Sequence, residues 1–140
     1  MKRTIPDEID AAGFEAKLAA CGDSLRELVV FLRASSQHAG VTVTQRRFRH
    51  PEPNTGWGVT YYVVSKPFCE IHPKAQDGHA WVRLPGVNSG AVASSGFEPS
   101  KQEGWFRIRS MGEAVRFVHW ILQAHDARVS TARASAGEVQ

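Results

Sequence analysis

Aromatic and basic residues alternate in two stretches of this chain, His79-Ala80-Trp81-Val82-Arg83 and Trp105-Phe106-Arg107-Ile108-Arg109. Alternate residues of a β-strand share a face, so Trp81 stands with Arg83, and Trp105 with Arg107 and Arg109. Flat rings stack on nucleic-acid bases while guanidinium groups meet phosphates, each stacked base contributing about 1–3 kcal/mol. Phe68, Glu70 and His72 extend the same face on a third stretch, which Lys66 and Lys74 flank. The candidate binding set is therefore Lys66, His72, Lys74, Trp81, Arg83, Trp105, Arg107 and Arg109, and the partner it suits is nucleic acid or an anionic small molecule. Helices laid over this face would give it a different role, with tryptophans and arginine stems packing at the sheet margin.

A second chemistry centres on Glu70, His72 and His79. Two positions along a strand separate Glu70 from His72 by about 7 Å, too far for a direct hydrogen bond but close enough to share a ligand. With His79 opposite, they form a conceivable metal set or small enzyme pocket, although six histidines in 140 residues make such groupings easy. Cys69 and His72 are three apart, so a strand points them to opposite faces and forbids a thiolate–imidazole pair. The two cysteines, Cys21 and Cys69, show no zinc spacing and read as buried small hydrophobes. No GxGxxG, GxxxxGK[ST], GxSxG or HExxH motif is present, and nothing calls for a cofactor.

The elements that must position these residues follow from periodicity. Phe14, Leu18, Leu25, Leu28, Val29 and Leu32 recur at helical spacing over residues 10–34, as one kinked helix or two, with Asp23 or Ser24 available to cap the second. After Gly40 the period becomes two, giving strands at residues 41–49, 59–64, 68–72, 79–84 and 104–109. Residues 50–56, with two prolines and a glycine, read as a loop. Arg46, Arg47, Phe48, Arg49 and His50 make the first strand basic, with Lys2 and Arg3 as further cations. Such charge either holds a ligand or guards a sheet edge against aggregation. Tyr61 and Tyr62 face opposite ways, so one at most lines a pocket with Trp57.

Hairpin parity is testable within the sequence. Cys69 and Ile71 share the inward face with Ala80, Val82 and Leu84 if His72 lies opposite His79 or Arg83. Residues 85–103 read as a long irregular connection. Ser110-Met111-Gly112-Glu113 is a capping box opening a helix with Val115, Phe117, Val118, Ile121 and Leu122, and residues 128–140 read as a frayed tail.

A length of 140 residues suits one domain, taken as residues 1–127, and 42% hydrophobic with 22% charged residues lies in the globular range. The expected class is α+β, an antiparallel sheet of four to five strands between N-terminal and C-terminal helices. The net charge of +3 admits an anionic partner without requiring one. No apolar run reaches the roughly 20 residues of a membrane helix, so a cytoplasmic protein without a membrane partner is expected.

The stretch Ser65-Lys66-Pro67-Phe68-Cys69-Glu70-Ile71-His72-Pro73-Lys74, with Val82-Arg83-Leu84 and Gly104-Trp105-Phe106-Arg107-Ile108 before a helix, resembles the small YdhG-like and YjbR/MmcQ-like domains of unknown function. The resemblance covers roughly residues 25–127 and implies a compact frataxin-like α/β arrangement. It also brings two suggestions, iron handling and DNA binding. Iron handling asks for clustered carboxylates, yet Asp10, Glu15, Asp23 and Glu27 are scattered among Lys17, Arg26 and Arg33.

Overall fold

The computed structural model describes residues 8–40, 43–52, 56–74 and 78–139. Two helices open it, α1 (Glu8–Ala19) and α2 (Asp23–Gln37). The break falls at Gly22, which is the N-cap of α2 and offers no side-chain cap; Asp23 sits inside the first turn, 2.8 Å from Arg26. The expected Asp23 or Ser24 cap is thus replaced by glycine followed by an acid at the positive end of the helix dipole. Leu25, Leu28, Val29 and Leu32 form the buried stripe of α2, as their spacing requires.

The strands are β1 (Val43–Glu52), β2 (Gly56–Val63), β3 (Lys66–Lys74) and β4 (His79–Arg83), then β5 (Glu98–Pro99) and β6 (Trp105–Ile108). They form one antiparallel sheet in the order β1-β2-β3-β4-β6-β5, so the α+β class and the helix–sheet–helix order hold. Its last member is a two-residue edge strand. β1 continues through His50 and Pro51, which were expected in a loop, and a register irregularity between Arg49 and Glu52 accommodates them.

The region after β4 is less irregular than predicted. It contains α3 (Ser89–Ser94), which Asn88 caps by accepting from the Ala91 N–H at 3.0 Å, followed by β5. Val92 and Phe97 enter the core from this region. The final helix, α4 (Met111–Val139), begins with the expected cap, since Ser110 Oγ accepts from the Glu113 N–H at 3.1 Å. It also runs beyond residue 127, where a frayed tail was expected. Arg128 Nε donates to the Pro67 carbonyl at 2.8 Å and Val129 packs on the core, while alanines favour continuation of the helix. No described helix is long and apolar enough to cross a membrane.

Among the described residues the hydrophobic core packs on one sheet face. α1 lies on β1 and β2, α2 on β3 and β4, and α4 on β2, β3 and α2. Phe14, Leu32, Phe117 and Ile121 there meet Phe48, Val59, Tyr61, Ile71, Val82, Phe106 and Ile108, all fully buried. Alternation therefore turns His79, Trp81 and Arg83 of β4, and Trp105 and Arg107 of β6, to the face that the helices leave open.

Candidate functional site

β4 and β6 build the site. Their register sets Trp81 opposite Arg107 and Arg83 opposite Trp105, so rings and guanidinium groups alternate in both directions. The Arg107 guanidinium carbon lies 4.6 Å from the Trp81 ring centre and Arg107 Nη1 is 3.2 Å from Glu98. Arg83 Nη1 lies 3.6 Å from Glu70 Oε1. The side chains of Arg83 and Arg107 keep 42% and 29% of their exposure, so both ion pairs leave charge accessible to a ligand.

Beneath these residues, on β3, is a buried polar pair. His72 Nε2–H donates to Glu70 Oε2 at 2.6 Å, with the two residues 1% and 6% exposed. This corrects the expectation that they stand too far apart to bond: the backbone spacing sets only the Cα positions, and the two side chains lean towards each other. Trp105 covers His72, the ring centres being 5.2 Å apart. On its other side the imidazole fills the space above Gly58, where a Cβ would stand 2.3 Å from a ring carbon.

The hairpin register is His72 opposite Trp81, between the two pairings that the sequence admitted. The face assignment survives because a shift by two residues preserves parity. Lys74 opposite His79 closes the hairpin, and the Gly78 N–H donates to the Lys74 carbonyl at 3.0 Å. His79 is consequently paired with Lys74 rather than with the Glu70–His72 pair, and no group of three His, Cys, Asp or Glu suited to a metal ion occurs among the described residues.

Phe68 is misassigned by simple alternation. The register jumps between Tyr61 opposite Cys69 and Tyr62 opposite Pro67, a bulge that turns Phe68 to the helix side. There it is fully buried, edge-on to His125 with ring centres 5.5 Å apart. Cys69 also faces the helices, as expected, with the Ser36 hydroxyl 3.3 Å from its sulfur. Burial pushes its thiol up to about 12; the nearby Glu70 charge adds to the rise and the Ser36 hydrogen bond opposes it. Such a thiol is not a nucleophile at neutral pH.

Three predicted site residues stand apart from this cluster. Lys66 is exposed opposite Val63 at the far end of β3, about 20 Å along the strand from His72. Lys74 borders the turn. Arg109 follows β6 and belongs to the start of α4: its backbone N–H donates to Glu113 at 2.8 Å and its guanidinium to the same carboxylate at 2.7 Å. The Glu113 carboxyl is partly buried, which raises its pKa, but the Arg109 hydrogen bonds and charge outweigh this and hold it below its ordinary value.

Glu98 was missed because it lay in a segment read as irregular, yet it bridges Arg107 and Arg109 at 3.2 and 3.4 Å. The basic first strand is an edge of the sheet, with Arg47 at the register position opposite Thr60 and Arg49 opposite Gly58. Lys2 and Arg3 lie outside the described residues. Tyr61 turns inward and accepts from Arg33 Nε at 3.2 Å, which removes it from any pocket on the open face.

No family model matches this chain, and no curated protein or solved structure matches it significantly.

Proposed function

We propose that this chain is a binding module that takes an anionic ligand, nucleic acid foremost, on the face built by Trp81, Arg83, Trp105 and Arg107. One observation carries the reading: among the described residues every helix that packs on the sheet does so on its other face, and the two tryptophans and two arginines remain partly exposed. Glu70 and Glu98 match the formal charge of Arg83 and Arg107 one for one, so what the face offers an anion is two partly exposed guanidinium groups held in place, which lowers the entropy lost on docking.

The order of elements also supports a kinship with the YdhG-like and YjbR/MmcQ-like domains and their frataxin-like arrangement, which we propose on that ground alone. Binding is tested by anisotropy titration of labelled single- and double-stranded oligonucleotides at low and moderate salt. The expected result is micromolar binding that weakens as salt rises and falls further in Arg83→Gln/Arg107→Gln. Absence of salt-dependent binding by any oligonucleotide in that range would refute the reading.

A further inference from the structure

We infer that the ligand of this face is single-stranded nucleic acid, with successive bases stacked on Trp81 and Trp105 and phosphates held by Arg83 and Arg107; this rests on the anion-binding reading above. The register makes the two tryptophans diagonal neighbours on adjacent strands, about 7–8 Å apart at the backbone. That separation is about twice the roughly 3.4 Å rise of stacked nucleotides, so it suits bases splayed out of a stack. Each ring has one arginine across the ladder and another two residues along its own strand, which places cations on the path between the two bases.

A duplex does not use this arrangement. Its bases are read by an element that enters a groove, a helix or a two-stranded ribbon, and here the helices lie on the opposite face. Against a duplex the arginines would meet phosphates while the tryptophans would have no base to stack on. Single strands offer both.

Unused hydrogen-bonding capacity is concentrated on the same face. Thr60 Oγ1, His79 Nδ1 and Arg107 Nε are buried without a hydrogen-bond partner among the described residues. Thr60 lies opposite Glu70, and His79 and Arg107 alternate with the inward-facing residues of β4 and β6, so all three belong to the open face. Buried polar atoms are seldom left unpaired, so these three mark polar ground beneath the face, while the exposed parts of Trp81, Arg83, Trp105 and Arg107 are what a strand would touch. One row runs Arg47, Thr60, Glu70, Arg83, Trp105 across β1, β2, β3, β4 and β6. At about 4.8 Å per strand its span is about 19 Å, the length of roughly three splayed nucleotides.

The 140-residue chain tests this with oligothymidylate and oligouridylate of two, four and eight nucleotides, an eight-base-pair duplex, and heparin as a polyanion without bases. Anisotropy reports binding and tryptophan emission reports stacking. The expected result is at least tenfold tighter binding of the four- and eight-nucleotide single strands than of duplex or heparin, with quenched emission and little gain beyond four nucleotides. A difference between the two series identifies DNA or RNA as the source of the strand. Trp81→Leu should weaken single-strand binding roughly tenfold, whereas Arg116→Gln on α4 should leave it unchanged. Trp105→Leu should do as Trp81→Leu does; because Trp105 covers His72, Trp81→Leu decides the matter if the former fails to fold. Duplex or heparin binding as tightly as single strands, without quenching, overturns the single-strand inference and leaves the anion-binding reading standing. No binding of any polyanion overturns both.

Discussion

His72 Nε2 lies 2.6 Å from Glu70 Oε2, and this buried pair stands under Trp105 on the sheet face that the helices leave open. A sheet face without helices would be expected to bury little. Here a carboxylate and an imidazole are buried: Trp105 reaches across β4 to the imidazole, while Arg83 lies beside Glu70. The pair therefore fixes the position of both a ring and a guanidinium group of the binding surface.

Replacing Glu70 by Ala removes the carboxylate that the buried His72 ring donates to and that the partly exposed Arg83 guanidinium faces. A loss of about 3 kcal/mol in urea unfolding is expected, in line with breaking buried pairs. Tryptophan emission of the folded variant should move to longer wavelength as Trp105 loses its fixed seat.

Gly58→Ala tests the same seat from below. A Cβ there would stand 2.3 Å from the His72 ring, so the ring must move and carry Trp105 with it. The expected cost is about 1–3 kcal/mol, as for other overpacked sites, with a changed near-ultraviolet signal.

Cys69 should resist alkylation. With its thiol pushed up to about 12 and no exposed surface, it should react with iodoacetamide at pH 8 only when the protein is unfolded. Mass spectrometry after native and denatured labelling reads the difference, and Cys69 labelled in the native state would contradict the buried position.

The Glu113–Arg109 contact gives stability a defined pH dependence. A carboxyl whose pKa is lower in the folded than in the unfolded protein contributes stability above its unfolded value, and that contribution is lost as pH falls through the folded value. Acid unfolding of Glu113→Gln should therefore show a shallower loss of stability below about pH 4 than the parent chain, with lower stability at neutral pH.

Much of this face is legible in the sequence because alternation on β4 and β6 is regular: Ala80, Val82, Phe106 and Ile108 are buried and the residues between them are not. Phe68 escaped the same rule because the bulge beside Cys69 adds a residue that shifts the phase, and nothing in Lys66-Pro67-Phe68 announces where the jump falls. Glu70 and His72 were readable as sharing a face but not as bonded, since side-chain direction rather than strand spacing closes the gap. Glu98 became visible as a site residue only when β5 brought it beside Arg107, a contact between segments whose pairing no local pattern encodes. Asn88, by contrast, was a usable signal for α3, because asparagine is a favoured N-cap. The continuation of α4 past Arg128 depends on a tertiary bond to Pro67, which local propensity does not contain.

The chain has four tryptophans, and their indole N–H signals provide the most direct measurement. Trp57 packs against Gly13 of α1 and Trp120 Nε1 donates to Ser95, both away from the open face, whereas Trp81 and Trp105 belong to it. In a heteronuclear NMR titration with a single-stranded tetranucleotide, the Trp81 and Trp105 indole signals should shift and saturate together while those of Trp57 and Trp120 stay in place. Shifts confined to Trp57 or Trp120, or no shift at any of the four at millimolar ligand, would contradict a binding face made by β4 and β6.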